Sequence, residues 1–200
     1  MKRALILISA VVVIGAFGYI ATQMDTTKTG EGLYAQYVTY TNSELGIEFD
    51  YRAGPSGYVV EEMTPSDASA GLVRTIVLKR TEDKQNEGAI PVGGEGPPTI
   101  TIHVFENTKK QFPRAWADTH IQYSNMNLSQ GDAADAVVGG GSAIRYMSDG
   151  LYASENVVVA HGDNVYVITG MFIDVDSDIR RDFGPLVESV RFIPTSGQEQ

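Results

Sequence analysis

The 200-residue sequence predicts one α+β domain, a mainly antiparallel β-sheet flanked by helices in an α/β/α sandwich, behind an N-terminal hydrophobic helix. Three observations carry this prediction. Strand-like runs of alternating or β-branched residues recur along the chain, most of them separated by short turn signals. Two other stretches carry apolar residues at helical spacing. The run 151–172 (LYASENVVVAHGDNVYVITGMF) reads as a hairpin that is apolar on both faces and needs cover on both sides. With 42% hydrophobic residues, the chain can build a core without covalent staples.

Lys2 and Arg3 precede an uncharged run over residues 4–21. As a helix it would span about 27 Å, close to a hydrocarbon core. Basic residues before it and Asp25 after it place the N-terminus inside and the body outside. Its length favours an uncleaved anchor; Ala16-Phe17-Gly18 leaves a cleaved signal peptide as the alternative. Residues 1–21 are therefore anchor or signal, and the polar stretch 22–32 (TQMDTTKTGEG) is a flexible tether. The folded domain is expected over 33–193, with a disordered tail over 194–200.

Residues 33–41 open the domain as a strand. Residues 46–51 (GIEFDY) alternate, with Ile47, Phe49 and Tyr51 on one face. Further strands are read at 58–63 and 72–79. The stretch 81–98 (TEDKQNEGAIPVGGEGPP) reads as a long structureless loop, either a mobile surface excursion or a lid or contact loop. Residues 99–106 (TITIHVFE) alternate again. A helix is expected from Pro113 to about Asn125, because proline is tolerated only in a first turn; Trp116, His120 and Tyr123 share one face of it. Short strands at 136–138 and 142–147 flank a glycine turn. In the hairpin, parity along the chain groups Val157, Val159, Val165 and Val167 on one face and Val158, Ala160, Tyr166 and Ile168 on the other. Ile179, Phe183, Leu186, Val187 and Val190 form a closing helical stripe that Gly184-Pro185 should kink or split. Residues 191–193 end the domain as a strand.

Four of these stretches resemble the PsbP/Mog1-like fold family, especially its small prokaryotic extracytoplasmic members. They are Tyr40-Thr41-Asn42-Ser43 leading into 45–51 (LGIEFDY), the segment 140–146 (GGSAIRY), the segment 164–170 (NVYVITG), and Phe183 with Leu186, Val187, Ser189, Val190 and Phe192. The resemblance covers roughly residues 40–193 and consists of packing signatures. It implies an antiparallel sheet between helices and a non-enzymatic accessory or binding role. It does not imply a photosystem or nuclear-transport partner. Many bacterial members are lipoproteins; a chain with no cysteine is not one, which leaves the hydrophobic segment as the visible anchor.

The absence of cysteine also excludes disulfides, thiolate metal sites and cysteine nucleophiles. Without Lys2 and Arg3, the body carries 13 basic and 25 acidic residues, a net charge of −12, which repels nucleic acid and anionic headgroups. Asp174, Asp176 and Asp178 are the candidate metal ligands, three carboxylates at alternate positions. An EF-hand loop starting at Asp174 would need Gly and Glu where Ile179 and Pro185 stand, so the competing reading is an acidic helix start capped by Asp176 or Ser177. His103, His120 and His161 lack zinc-ligand spacing, the glycine runs lack a phosphate-loop lysine, and no serine sits in a nucleophile elbow. Asn127-Leu128-Ser129 is a formal glycosylation sequon. No catalytic residue and no cofactor is assigned. The expected function is a non-catalytic, membrane-tethered extracytoplasmic accessory domain that binds an envelope protein partner or supports envelope assembly. The alternatives are an envelope hydrolase whose site forms only in three dimensions, and a small-ligand or cation sensor.

Overall fold

A computed structural model describes residues 36–65, 71–89 and 95–195. The predicted anchor, the tether, residues 33–35 of the opening strand, 90–94 of the long loop and 196–200 of the tail lie outside the described residues. Within them the chain runs β1 (Gln36–Asn42), β2 (Ile47–Ala53), β3 (Tyr58–Met63), β4 (Leu72–Arg80), α1 (Thr81–Gln85), β5 (Ile100–Glu106), α2 (Pro113–Thr119), α3 (Ile121–Ser124), β6 (Ala134–Val138), β7 (Gly141–Asp149), β8 (Ala153–His161), β9 (Asn164–Phe172), α4 (Asp178–Ser189) and β10 (Arg191–Phe192).

The strands form two sheets, not one. Seven pair in the order β3-β4-β5-β9-β8-β7-β6, three pair as β1-β2-β10, and every ladder is antiparallel. The hairpin β8–β9 lies inside the large sheet, as its two apolar faces require. One face is covered by α4 and the small sheet: Ile102, Val157 and Ile168 share a core with Phe49 of β2 and Phe183 and Val187 of α4. The other face is covered by α2, where Trp116 and Ala117 meet Phe105, Val158, Val165 and Val167.

The hairpin register regroups its residues. Val157 pairs with Ile168 and Val159 with Tyr166, so these four share the α4 face; Val158 pairs with Val167 and Ala160 with Val165 on the α2 face. Counting parity straight through the turn misassigns the second strand, because the two-residue loop Gly162-Asp163 sets which residues stand opposite. Gly162 supplies the left-handed backbone (φ 58°) that such a turn demands.

Three further expectations are corrected. The 81–98 stretch is not structureless: it starts with α1 and a 3₁₀ turn at Glu87–Ala89. Helix α1 buries no side chain, so it carries no apolar stripe to read; Lys84 instead bridges Glu61 and Glu87, each at 2.5 Å. The helix at Pro113 begins as expected, with proline in its first turn, but breaks at His120. There the Thr119 hydroxyl donates toward the carbonyls of Ala115 and Trp116, His120 Nδ1 lies 2.9 Å from the Trp116 carbonyl, and the Ser124 hydroxyl donates at 2.8 Å to the Ala117 carbonyl, the acceptor the next turn would use. Pro185 does not split α4, which runs through it for 12 residues. Its buried face holds it: Ile179, Phe183, Leu186 and Val187 are all in the core, which outweighs one missing hydrogen bond.

Candidate functional site

At one end of the large sheet the chain makes two adjacent exits. Ala153 pairs with Phe172, so the turn before β8 and the segment after β9 leave the ladder side by side. Beyond that pair stand Leu151, Ile173 and Val175, which are 69%, 76% and 73% exposed. Fully burying such a side chain is worth roughly 1.5–3 kcal/mol, so three of them projecting from one end form an unspent apolar surface. Asp149, Asp174 and Asp176, all exposed, flank them along the chain.

The backbone behind this tip is built from its own sequence. Asp174 Oδ1 accepts from the Asp176 N–H at 3.2 Å, and the Asp174 carbonyl accepts from the Ser177 N–H at 3.1 Å. Ser177 then caps α4, its hydroxyl accepting from the Arg180 N–H at 3.3 Å. Of the two capping residues offered by the sequence, the structure uses Ser177. Tyr152, inside the same tip, donates to the Gly96 carbonyl at 2.7 Å and ties the incoming loop to it.

The three candidate metal ligands do not converge. Asp174 and Asp176 lie on the rim of the tip. Asp178 turns back to Arg52 at 3.4 Å, to Arg80 at 3.2 Å and to Arg181. Among the described residues no group of three or more histidine or carboxylate side chains is arranged to hold a metal ion. Behind the tip, Glu155 is nearly buried between Arg145 and Arg180, and Arg180 also sits over the Phe172 ring, 5.0 Å from its centroid. Asp182 accepts from the Tyr58 hydroxyl at 3.0 Å and pairs with Arg52 at 3.3 Å; burial and that carboxylate push the Tyr58 phenol well above its ordinary range. The arginines at this end are thus matched to Glu155, Asp178 and Asp182. Among the described residues Asp149, Asp174 and Asp176 have no cationic partner.

The histidines stand on three separate elements. His103, in β5, lies 2.9 Å from the Thr75 hydroxyl, and burial lowers its pKa. His161 ends β8 and stacks on Phe192 at 4.2 Å, with its pKa also lowered by burial. His120 stacks flat on Trp116 at 4.2 Å and lines a depression of about 220 Å³ together with Glu106, Lys109 and Trp116. A second cleft of about 230 Å³ runs between β6 and α4.

The sequence marked the acidic exit at Asp174 but not the aliphatic residues beside it. Their only signal was position: Leu151 follows Gly150 in a turn, and Ile173 and Val175 alternate with aspartates just past a strand.

No family model matches the chain, and no curated protein matches it in sequence. The architecture does have a counterpart. The solution structure of cyanobacterial PsbP (CyanoP) from Synechocystis sp. PCC 6803 superposes with a TM-score of 0.51 at 14% identity, over 84% of this chain and 98% of that one. The fold is PsbP-like, as the four packing signatures implied. Among the described residues no helix is long and apolar enough to cross a membrane.

Proposed function

We propose that this chain is a non-catalytic accessory domain, held at the extracytoplasmic face of a cell membrane by residues 1–21, that docks a protein partner through the acid-rimmed apolar tip. The observation that carries this reading is the tip itself, three large exposed aliphatic side chains at one end of the sheet, flanked along the chain by the unpaired carboxylates of Asp149, Asp174 and Asp176. An apolar centre with a polar rim is the usual anatomy of a protein interface. The complementary surface is an apolar pocket bordered by lysine or arginine. Strand β1 starts at the same end, since Gln36 pairs with Ala53 and neighbouring Arg52 reaches Asp178. The described part of the chain therefore begins on the side that carries the tip.

A photo-crosslinker at Ile173 of the full chain in native membranes tests this. The expected product is one discrete adduct, weakened by salt and lost in Leu151→Asp or Val175→Asp, while a crosslinker at Lys109 gives none. Adducts that are indifferent to both substitutions and to salt would overturn it. An envelope hydrolase is the second reading, favoured by one observation: Glu106 and His120 line the same 220 Å³ depression. Turnover of ester or amide substrates that disappears in His120→Gln would establish that reading instead.

A further inference from the structure

We propose that the outer edge of β6 takes up an extended, basic and apolar segment of a protein partner as an eighth strand of the large sheet. This surface is separate from the tip and does not depend on it.

The geometry of the β6–β7 hairpin leaves the edge open. Val138 pairs with Gly141 across the two-residue turn Gly139-Gly140, whose φ values of 56° and 81° make it type I′. In such a hairpin the closing pair is hydrogen-bonded, and every second residue back along the strand repeats it. Ala134, Ala136 and Val138 therefore spend their peptide groups on β7, while those of Asp135 and Val137 face away from the sheet. Among the described residues nothing meets these outward groups. Lysine, proline and a bulge, three common edge protections, are absent from β6, whose one charged residue is the exposed Asp135. The opposite edge of the same sheet differs. On β3, Glu62 accepts from the Tyr40 hydroxyl of β1 at 2.7 Å, and Glu61 pairs with Lys79 and Lys84, so charged and polar partners surround that edge.

The side chains around β6 specify the occupant. Toward α4, the cleft of about 230 Å³ is floored by Ala136, Val138, Val157 and Val187, with Arg145 and Glu188 at its sides. Alternate residues of an added strand would point into this cleft, where small aliphatic side chains fit. On the other face Val137 is 75% exposed, and an aliphatic neighbour would cover it. Asp132, Asp135 and Glu188 are exposed and have no cation among the described residues, whereas Arg145 is already engaged by Glu155. Three unmatched carboxylates call for lysine or arginine on the incoming strand. They also disfavour a second copy of this chain, which would bring the same carboxylates to the same edge.

The test uses the full chain, isotope-labelled in zwitterionic nanodiscs, titrated with a capped nine-residue peptide of alternating valine and lysine. The expected result is that the amides of Asp135 and Val137 shift most and gain protection from exchange. A peptide N-methylated at alternate residues fails to bind. Val137→Pro removes an outward donor without touching the ladder to β7 and weakens binding at least tenfold. Asp135→Lys weakens the valine–lysine peptide and admits a valine–glutamate one. Equal binding of both peptides to the unaltered chain, shifts confined to Leu151, Ile173 and Val175, or sedimentation as a dimer that Val137→Pro dissociates would each overturn the proposal.

Discussion

Gly170 shows how much one methyl group can decide. It lies in β9 directly under the Phe183 ring of α4, and a Cβ there would stand well inside contact distance of that ring. The ring is fully buried, so it has little room to retreat. Gly170→Ala is expected to cost about 1–3 kcal/mol through overpacking, read as a fall in denaturation midpoint with the same denaturant slope. The sequence marked Gly170 only as the end of a strand signature. Its packing role depends on Phe183, thirteen positions away, and was not visible locally. Asp178 is similar: its carboxylate looked like a metal ligand beside Asp174 and Asp176, yet Arg52 and Arg80 claim it from distant strands. A side chain's neighbours in sequence do not reveal which distant charge the fold will set against it.

Helix α4 was largely legible because local chemistry and packing agree in it. Its apolar stripe, its capping serine and the acidic Asp178 in its first turn all point to the same boundaries. Ser177→Ala removes the acceptor for the Arg180 N–H and is expected to cost about 1 kcal/mol, with Ser177→Asp restoring most of it. Thermal melts of the two variants against the native chain check this. Helix α1 was missed for the opposite reason. It is short, buries nothing and is held by Lys79 and Lys84 reaching Glu61 and Glu87, a pattern without hydrophobic periodicity. Those ion pairs hold the Glu87 carboxyl down at about 2 and also lower that of Glu61.

Across the whole molecule, the two covered faces of the large sheet make stability depend on pH through partly buried histidine. Burial in the α2-side layer lowers the pKa of His103, and partial burial does the same for His161. A histidine depressed in the folded state binds its proton more readily when unfolded. Its contribution is fully present above the unfolded pKa of about 6.5 and is lost as pH falls below that value toward the folded one. The melting temperature is therefore expected to drop between pH 7.5 and 5.5. His103→Gln should flatten the slope, leaving the share due to His161. This window lies above the range in which the depressed carboxylates Glu61 and Glu87 titrate, so acid effects from those pairs appear only at lower pH.

The acid-rimmed tip belongs to this same scale. Leu151 and Ile173 lie 22 positions apart in the sequence and share one end of the sheet only because Ala153 pairs with Phe172.

The sequence by itself determined the α+β class, the antiparallel strands, the hairpin that needed two covered faces and the capped closing helix. Each of these follows from a period of two or 3.6 residues, or from a turn or cap only a few positions long. Tertiary structure alone decided the division into two sheets, the face each half of the hairpin presents, the arginines that claim Asp178, and the gathering of Leu151, Ile173 and Val175 at one end. Those outcomes depend on which strands become neighbours and in what register, and that choice is made by the packing of the whole core.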